Sequence, residues 1–396
     1  MLATVQGFAS RPNPIKKGYT AFGDSYAAGI GTGNTSTWGC RQGRFSYPDL
    51  IASTVRDIEF QNLACSGATI QNLLSGGVYS QVDAWTNPGL SEIATVSIGG
   101  NDIGFYNILT ACVLWVGGYF AGDCEIEIAK ANEILASSDL SANITSALQA
   151  IIDRNGNDAF KIFMTGYVTF FNENTPLCES SSFRIYSPHY DTTHKEKGQP
   201  WLTTALRKQL NDVVMTLNTL LSHVTDSVNA YYANTEKVVF VNPNLAYAGH
   251  RWCEEGVYEP DNDRLDTWLF LSGTPDNNLP EDPLGASESY DQEQREQVAG
   301  PSSPLPDPST CKDTLTRSDP PIGSDWYEHM LCDISIAASS ASTLEHKVIQ
   351  EEIVQIQEGI LTELRIPWYV PTRLAKTFHP KTLGQQAFAN EIMAVW

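Results

Sequence analysis

Five short apolar segments, each followed by turn residues, are strung between Lys17 and Asn242. They are Lys17 to Gly23, Ile58 to Asn62, Ile93 to Ile98, Ala159 to Gly166 and Lys237 to Asn242. Each reads as a short buried strand. Helical signals fill the gaps. Pro48 to Val55 begins with a proline suited to a first helical turn. From Leu202 to Val228 leucines and valines recur at three- and four-residue steps, which predicts one long amphipathic helix. Ile349, Ile353, Ile356 and Ile360 mark another, and Lys381 to Val395 the last. Strands that alternate with helices predict a parallel sheet covered on both faces. The 396 residues allow one large domain or two ordinary ones, and a 42% hydrophobic content is enough for a sizeable core.

One region breaks the pattern. Between Glu254 and Asp325 periodicity fades, and nine of the 21 prolines fall between Pro275 and Pro321. Proline removes donors and blocks helix continuation, so an irregular insertion is expected there. Lys and Arg total 25 against 46 Asp and Glu, a formal charge of -21. So acidic a chain repels phosphate backbones and anionic lipid surfaces, and no nucleic-acid partner is expected. No stretch is long and apolar enough to cross a bilayer. Met1 to Lys17 lack a basic-then-apolar leader pattern. The cysteines nevertheless point outward from the cell. There are eight, none in a C-x-x-C pair, which excludes zinc-ribbon and thioredoxin-like readings. An even count without metal spacing predicts disulfides and a secreted protein. Asn34 and Asn143 head candidate glycosylation triplets.

Chemistry concentrates in four segments: Gly23-Asp24-Ser25, Cys65-Ser66-Gly67-Ala68, Gly99-Gly100-Asn101-Asp102 and Phe378-His379-Pro380. A serine hydroxyl needs a base to become a nucleophile, and imidazole is the usual one. Ser25 on the turn after the first strand would sit at the carboxyl edge of a parallel sheet, where ligands bind in such folds. Acyl transfer develops negative charge on the substrate oxygen, which preorganised donors must meet. Gly67 has no side chain to block its N–H, and the Asn101 amide follows a strand and a Gly-Gly turn. As isolated tripeptides these are ordinary turn formers.

Taken together, the segments resemble the SGNH hydrolases, also called GDSL esterases and lipases, in order and spacing across nearly the whole chain. The resemblance implies a flavodoxin-like, three-layer α/β/α sandwich with a central parallel sheet, and carboxylic ester hydrolysis without metal or other cofactor. Residues 1–16 would then be an extension, and 17–396 a single domain with the insertion at about 254–325. It implies Ser25 as nucleophile and His379 as base. The Ser25 N–H, the Gly67 N–H and the Asn101 amide would form the oxyanion hole. The family usually has Asp three residues before the histidine; here that residue is Lys376, so the Asp-x-x-His triad is absent. A Ser–His dyad is expected instead, with the Lys376 carbonyl, or one close by, orienting the ring. The secreted, disulfide-containing branch of the family implies Cys40–Cys65; Cys112–Cys124, Cys178–Cys253 and Cys311–Cys332 are the remaining expected pairs.

Other candidates carry less. Asp24 reads as a turn cap and Asp102 as a loop-holding residue. His189, Asp191 and His194 lack the spacing and further ligands of a metal site. His223, His329 and His346 read as structural, and His250 stands in a motif-like setting. Ala111 to Ala121, with Leu114, Trp115, Tyr119 and Phe120, reads equally as the wall of an acyl cleft or as core. Trp368 and Tyr369 pose the same choice. The expected substrate is a lipid or fatty-acyl ester, acted on by a monomer. Carbohydrate acetyl ester hydrolysis, acyl transfer to another alcohol, and a binding protein without catalysis stand as alternatives.

Overall fold

The computed structural model describes residues 17–33, 40–55, 57–77, 80–114, 123–183, 201–233, 235–261, 264–271, 276, 278, 309 and 376–396. Among them, β1 (Lys17–Gly23), β2 (Ile58–Asn62), β3 (Ser91–Ser97), β4 (Lys161–Thr165) and β5 (Val238–Val241) form one parallel sheet in the order β2-β1-β3-β4-β5. The helices are α1 (Ser25–Ala28), α2 (Tyr47–Thr54), α3 (Gln81–Ala84), α4 (Phe105–Leu109), α5 (Cys124–Ala136), α6 (Ser138–Asn155), α7 (Thr204–Tyr231) and α8 (Thr382–Val395).

β1, β3 and β4 are buried along almost their whole length, which is why they read as continuous apolar runs. Side chains alternate across the sheet. On one face Phe22 meets the edge of Trp85, just after α3. On the other, Tyr19 stacks on Phe60 and meets Trp396 at the end of α8. α6 packs on α7, and α2 packs on α8. The result is the α/β sandwich that the alternation predicts. Hydroxyls buried beneath α2 are paired: Tyr19 with Thr95 at 2.9 Å, Tyr47 with Ser97 at 3.1 Å, and Ser97 with Thr165.

The bounds of β1 and β2 match those read from the sequence. β3 starts two residues earlier than expected and β4 two later. The long helix starts after Leu202, because the Thr203 hydroxyl caps it by accepting from the Leu206 N–H, and it runs on to Tyr231. The stretch with Ile349 to Ile360 lies outside the described residues.

Strand order reverses between β1 and β3, and ligands bind at such a switch point in open parallel sheets. Gly23 pairs with Ser97 in register, the Asp24 N–H donates to the Ser97 carbonyl at 2.9 Å, and the Cys65 N–H donates to the Gly23 carbonyl at 2.9 Å. The loops after β1, β2 and β3 therefore leave from neighbouring points. Gly23 has φ +134°, and a Cβ there would lie 2.2 Å from the Ser97 carbonyl oxygen, so only glycine lets the strand end this close.

Disulfides join Cys40 to Cys65, Cys112 to Cys124 and Cys178 to Cys253. Cys311 and Cys332 lie outside the described residues, as do residues 1–16. Of the expected insertion, 254–261, 264–271 and the single residues 276, 278 and 309 are described. The two runs are irregular but docked: Trp252 bridges Phe171 just before them, and Leu269 bridges Pro380. Among the described residues, no helix is long and apolar enough to cross a membrane.

Candidate active site

Ser25 is the first residue of α1, and Asp24 caps that helix through a bond from the Tyr26 N–H at 2.9 Å. α1 ends after one turn at Gly29, which is left-handed. So short a helix contributes little dipole, and any charge stabilisation here must come from individual donors. The Ser25 Oγ lies 2.6 Å from His379 Nε2. Both side chains are buried, with relative exposures of 9% for Ser25 and 7% for His379.

His379 Nδ1 faces the Thr377 carbonyl at 3.2 Å. Of the carbonyls at and close to Lys376 that are expected to orient the ring, the one facing Nδ1 is that of the adjacent Thr377, while the Lys376 carbonyl accepts the main-chain N–H of His379 at 2.8 Å. Phe378 is left-handed at φ +60°, which tightens the 376–379 turn and leaves the carbonyl two residues back to meet the ring. With Nδ1 donating to Thr377, Nε2 is the acceptor facing Ser25. The Lys376 side chain stands where the family has Asp, but its ammonium lies over the Phe270 ring, 4.6 Å from the centroid. Burial pushes the imidazole down to about 4, against the raising effect of the Thr377 and Lys376 backbone groups. At neutral pH the ring is uncharged and able to take a proton.

Gly67 lies in the turn closed by the Ala68 N–H on the Cys65 carbonyl at 3.0 Å, with φ +84°. The Cys40–Cys65 bridge and the Ser66 N–H on the Cys40 carbonyl, at 3.1 Å, tie this turn to the chain beyond Ser25. Among the described residues, no acceptor takes the Gly67 N–H. The Asn101 amide donates one N–H to the Ala68 carbonyl at 2.9 Å; its group has two. The Asp102 carboxylate accepts the Ile70 N–H at 3.1 Å and so holds the two loops together.

A cavity with room for about 50 Å³ of solvent opens beside Ser25, Asn101 and His379. Among the described residues its far wall is apolar: Ile103, Phe105 and Leu109 on one side, Leu210, Val213 and Leu217 of α7 on the other. Ala111 to Leu114 are buried and do not line the cavity, while 115–121 lie outside the described residues, as do Trp368 and Tyr369.

Sequence reasoning missed two tyrosines. The Tyr26 hydroxyl donates to the Phe378 carbonyl at 2.9 Å, and the Tyr167 hydroxyl donates to Asp24 Oδ2 at 2.5 Å. Tyr167 follows β4 at the carboxyl edge, a position that would have singled it out. Burial raises Asp24 to about 7, although the bonds from Tyr167 and Tyr26 oppose the shift.

The other candidates separate cleanly. His250 stacks on Trp268 at 3.6 Å and bonds through Nδ1 to the Asp266 carbonyl at 2.8 Å, so it braces the segment that pairs with the histidine turn. His223 is exposed on α7. Asn143 is exposed on a helix, α6, rather than on a loop, and Asn34 lies outside the described residues. So do His189, Asp191, His194, His329 and His346. Among the described residues, no group of three or more His, Cys, Asp or Glu side chains converges as a metal site would.

A buried serine–imidazole pair at the switch point of a doubly wound sheet, with free donors and an apolar cavity beside it, is an arrangement that can activate a serine hydroxyl. Residues 21–251, more than half of the chain, match the GDSL-like Lipase/Acylhydrolase family, and the chain belongs to that family. It is 32% identical over 160 residues to Lipase 1 of Streptomyces coelicolor and 33% identical over 164 residues to a lipase of Streptomyces rimosus. Those matches cover 40% and 41% of this chain and 55% and 56% of the relatives, so the chain spans about half the length of the curated relatives it matches. Among solved structures, the extracellular lipase of Streptomyces rimosus aligns with a TM-score of 0.48 at 24% identity, covering 69% of this chain and 96% of that one. Phospholipase A1 of Streptomyces albidoflavus NA297 aligns with a TM-score of 0.46 at 22% identity, over 64% and 87%.

Proposed function

We propose that this protein hydrolyses carboxylic esters through an acyl-serine intermediate, and that it does so outside the cell. The observation that carries this reading is the 2.6 Å contact between Ser25 Oγ and His379 Nε2, with Nδ1 committed to the Thr377 carbonyl. Nε2 takes the Ser25 proton as Oγ attacks the ester carbonyl. The Ser25 N–H, the Gly67 N–H and the free Asn101 N–H meet the oxyanion. His379 then protonates the leaving alcohol, and a water deacylates the serine by the same route in reverse.

The apolar cavity beside Ser25 supports a fatty-acyl substrate over an acetylated sugar, since a hydrocarbon chain gains about 0.8 kcal/mol per buried methylene. The disulfides support secretion.

The test is covalent labelling by an organophosphonate, with the modified residue mapped by mass spectrometry, alongside a panel of p-nitrophenyl esters of rising chain length. The expected result is a single adduct on Ser25, lost in Ser25→Ala together with hydrolysis, and turnover that favours chains longer than acetate. Hydrolysis that survives Ser25→Ala would overturn the assignment, and activity on acetate alone would overturn the fatty-acyl substrate.

A further inference from the structure

Tyr167 makes no contact with Ser25 or His379 in the scheme above, yet its hydroxyl sits between the two loops that must act together. It accepts the Gly100 N–H at 3.1 Å and donates to Asp24 Oδ2 at 2.5 Å. A phenol has one proton to give, so with Gly100 supplying one donor that proton is directed at Asp24. The strap thus runs from the residue beside the nucleophile to the residue beside Asn101.

The strap is built from both ends. Asn218 of α7 is buried and grips the Tyr167 backbone twice, its Oδ1 accepting the N–H at 2.7 Å and its Nδ2 donating to the carbonyl at 2.8 Å. The Tyr167 ring meets the edge of Tyr26 at 4.9 Å, and the Tyr26 hydroxyl in turn holds the Phe378 carbonyl. A Cβ added to Gly100 would lie 3.2 Å from the Tyr167 ring, so ring and loop are already in contact. Asn101 has a second tether, to Ala68. That tether fixes the loop relative to Gly67. Tyr167 fixes it relative to Ser25.

We infer that Tyr167 is a positioning residue for the oxyanion hole, holding the Gly100–Asn101 loop at the correct distance from the nucleophile turn through Asp24. The inference rests on the ester-hydrolase reading. Its energetic logic is that donors act on a transition state only when already in place, and a misplacement near 1 Å costs roughly a hundredfold.

The experiment is Tyr167→Phe, which keeps the ring and removes the strap. On a short p-nitrophenyl ester, kcat is expected to fall by about ten- to a hundredfold, with KM changed less than about threefold. Affinity for a boronic acid or trifluoromethyl ketone analogue should fall by the same factor as kcat/KM. In an Asn101→Ala background the same change should cost little more, because residues that act as a unit are not additive. A structural role alone would lower Tm without that split or that cycle. If Tyr167→Phe does not fold, Gly100→Ala displaces the ring from the opposite side and should give the same split. Unchanged kcat in an active, labelled enzyme overturns the inference alone. So does a full multiplicative loss on top of Asn101→Ala. A wild-type protein that neither labels at Ser25 nor hydrolyses any ester overturns the hydrolase reading and takes the inference with it.

Discussion

Ser25 and His379 meet at 2.6 Å but are held by different means. Ser25 stands just past a buried strand. Its turn is fixed by the Asp24 N–H on Ser97, and by Gln81, which bonds both the N–H and the carbonyl of Gly23 at 2.8 Å. Opening that turn means opening the middle of the sheet. His379 stands on no strand. Its turn hangs from three main-chain bonds to an irregular segment: Phe378 N–H to Phe270, Phe270 N–H to His379, and Lys381 N–H to Trp268, at 2.8 to 2.9 Å. Rings do the rest, with Phe378 packed against Phe170 and Phe171 at 5.0 and 5.3 Å. A docked turn opens at lower cost than a core strand. Ser25 is carried by the fold, and His379 is carried to it.

The harshest test of that division removes the base. His379→Ala is expected to lower kcat on a short ester by about ten-thousandfold or more, and Ser25→Ala added to it should cost little further, since the pair acts as one unit. Steady-state turnover and the rate of organophosphonate labelling both report it. A loss of only tenfold would mean that another group removes the serine proton. Next comes the strand-borne side. Asn101→Ala should cost about a hundred- to thousandfold in kcat with little change in KM, the signature of a donor used only in the transition state. A rise in KM with kcat unchanged would make Asn101 a ground-state contact.

The same division explains what the sequence made legible. β1 and β2 are bounded by glycine and by turn residues, and each is an uninterrupted short run, so their limits could be read directly. The segments of Ser25, Gly67 and Asn101 follow strands, and strand ends are visible. The histidine side hid its support. A left-handed phenylalanine is uncommon, and nothing in Phe378-His379-Pro380 announces one, so which carbonyl near Lys376 meets the ring could not be read from the sequence. The family match ends at residue 251 and does not reach the turn that carries His379. Tyr26 and Tyr167 left no periodic trace, because their role depends on which loops the sheet brings together.

The base side should also dominate the acid limb. Burial favours the uncharged imidazole and pushes His379 down to about 4, so the ring stays neutral and competent above that pH. Below it the proton it must accept is already present. kcat/KM is expected to fall about tenfold per pH unit there, measured over a time too short for unfolding. Asp24, raised to about 7 by burial, would give any inflection near neutrality, and Asp24→Asn should remove that inflection while leaving the lower limb in place. An acid limb at pH 6 to 7 that persists in Asp24→Asn would mean the ring is more solvated than its 7% exposure implies.

The mildest change addresses the link between the two halves. Tyr26 belongs to the nucleophile turn, yet its hydroxyl holds the Phe378 carbonyl, and its ring lies 5.0 Å from that of His379. Tyr26→Phe keeps the ring and deletes the tether. The expected cost is about 1 kcal/mol of stability, typical of one buried hydrogen bond, with a several-fold loss of kcat. Exchange of the Phe378 and Lys381 amides should quicken, while the Asp24 and Cys65 amides, bonded to strand ends, keep their protection. If all four amides quicken together, the two halves open as one unit and the contrast between a fixed nucleophile and a docked base fails. If none does, the aromatic packing around Phe378 holds the turn alone, and the hydroxyl serves only to satisfy a buried carbonyl.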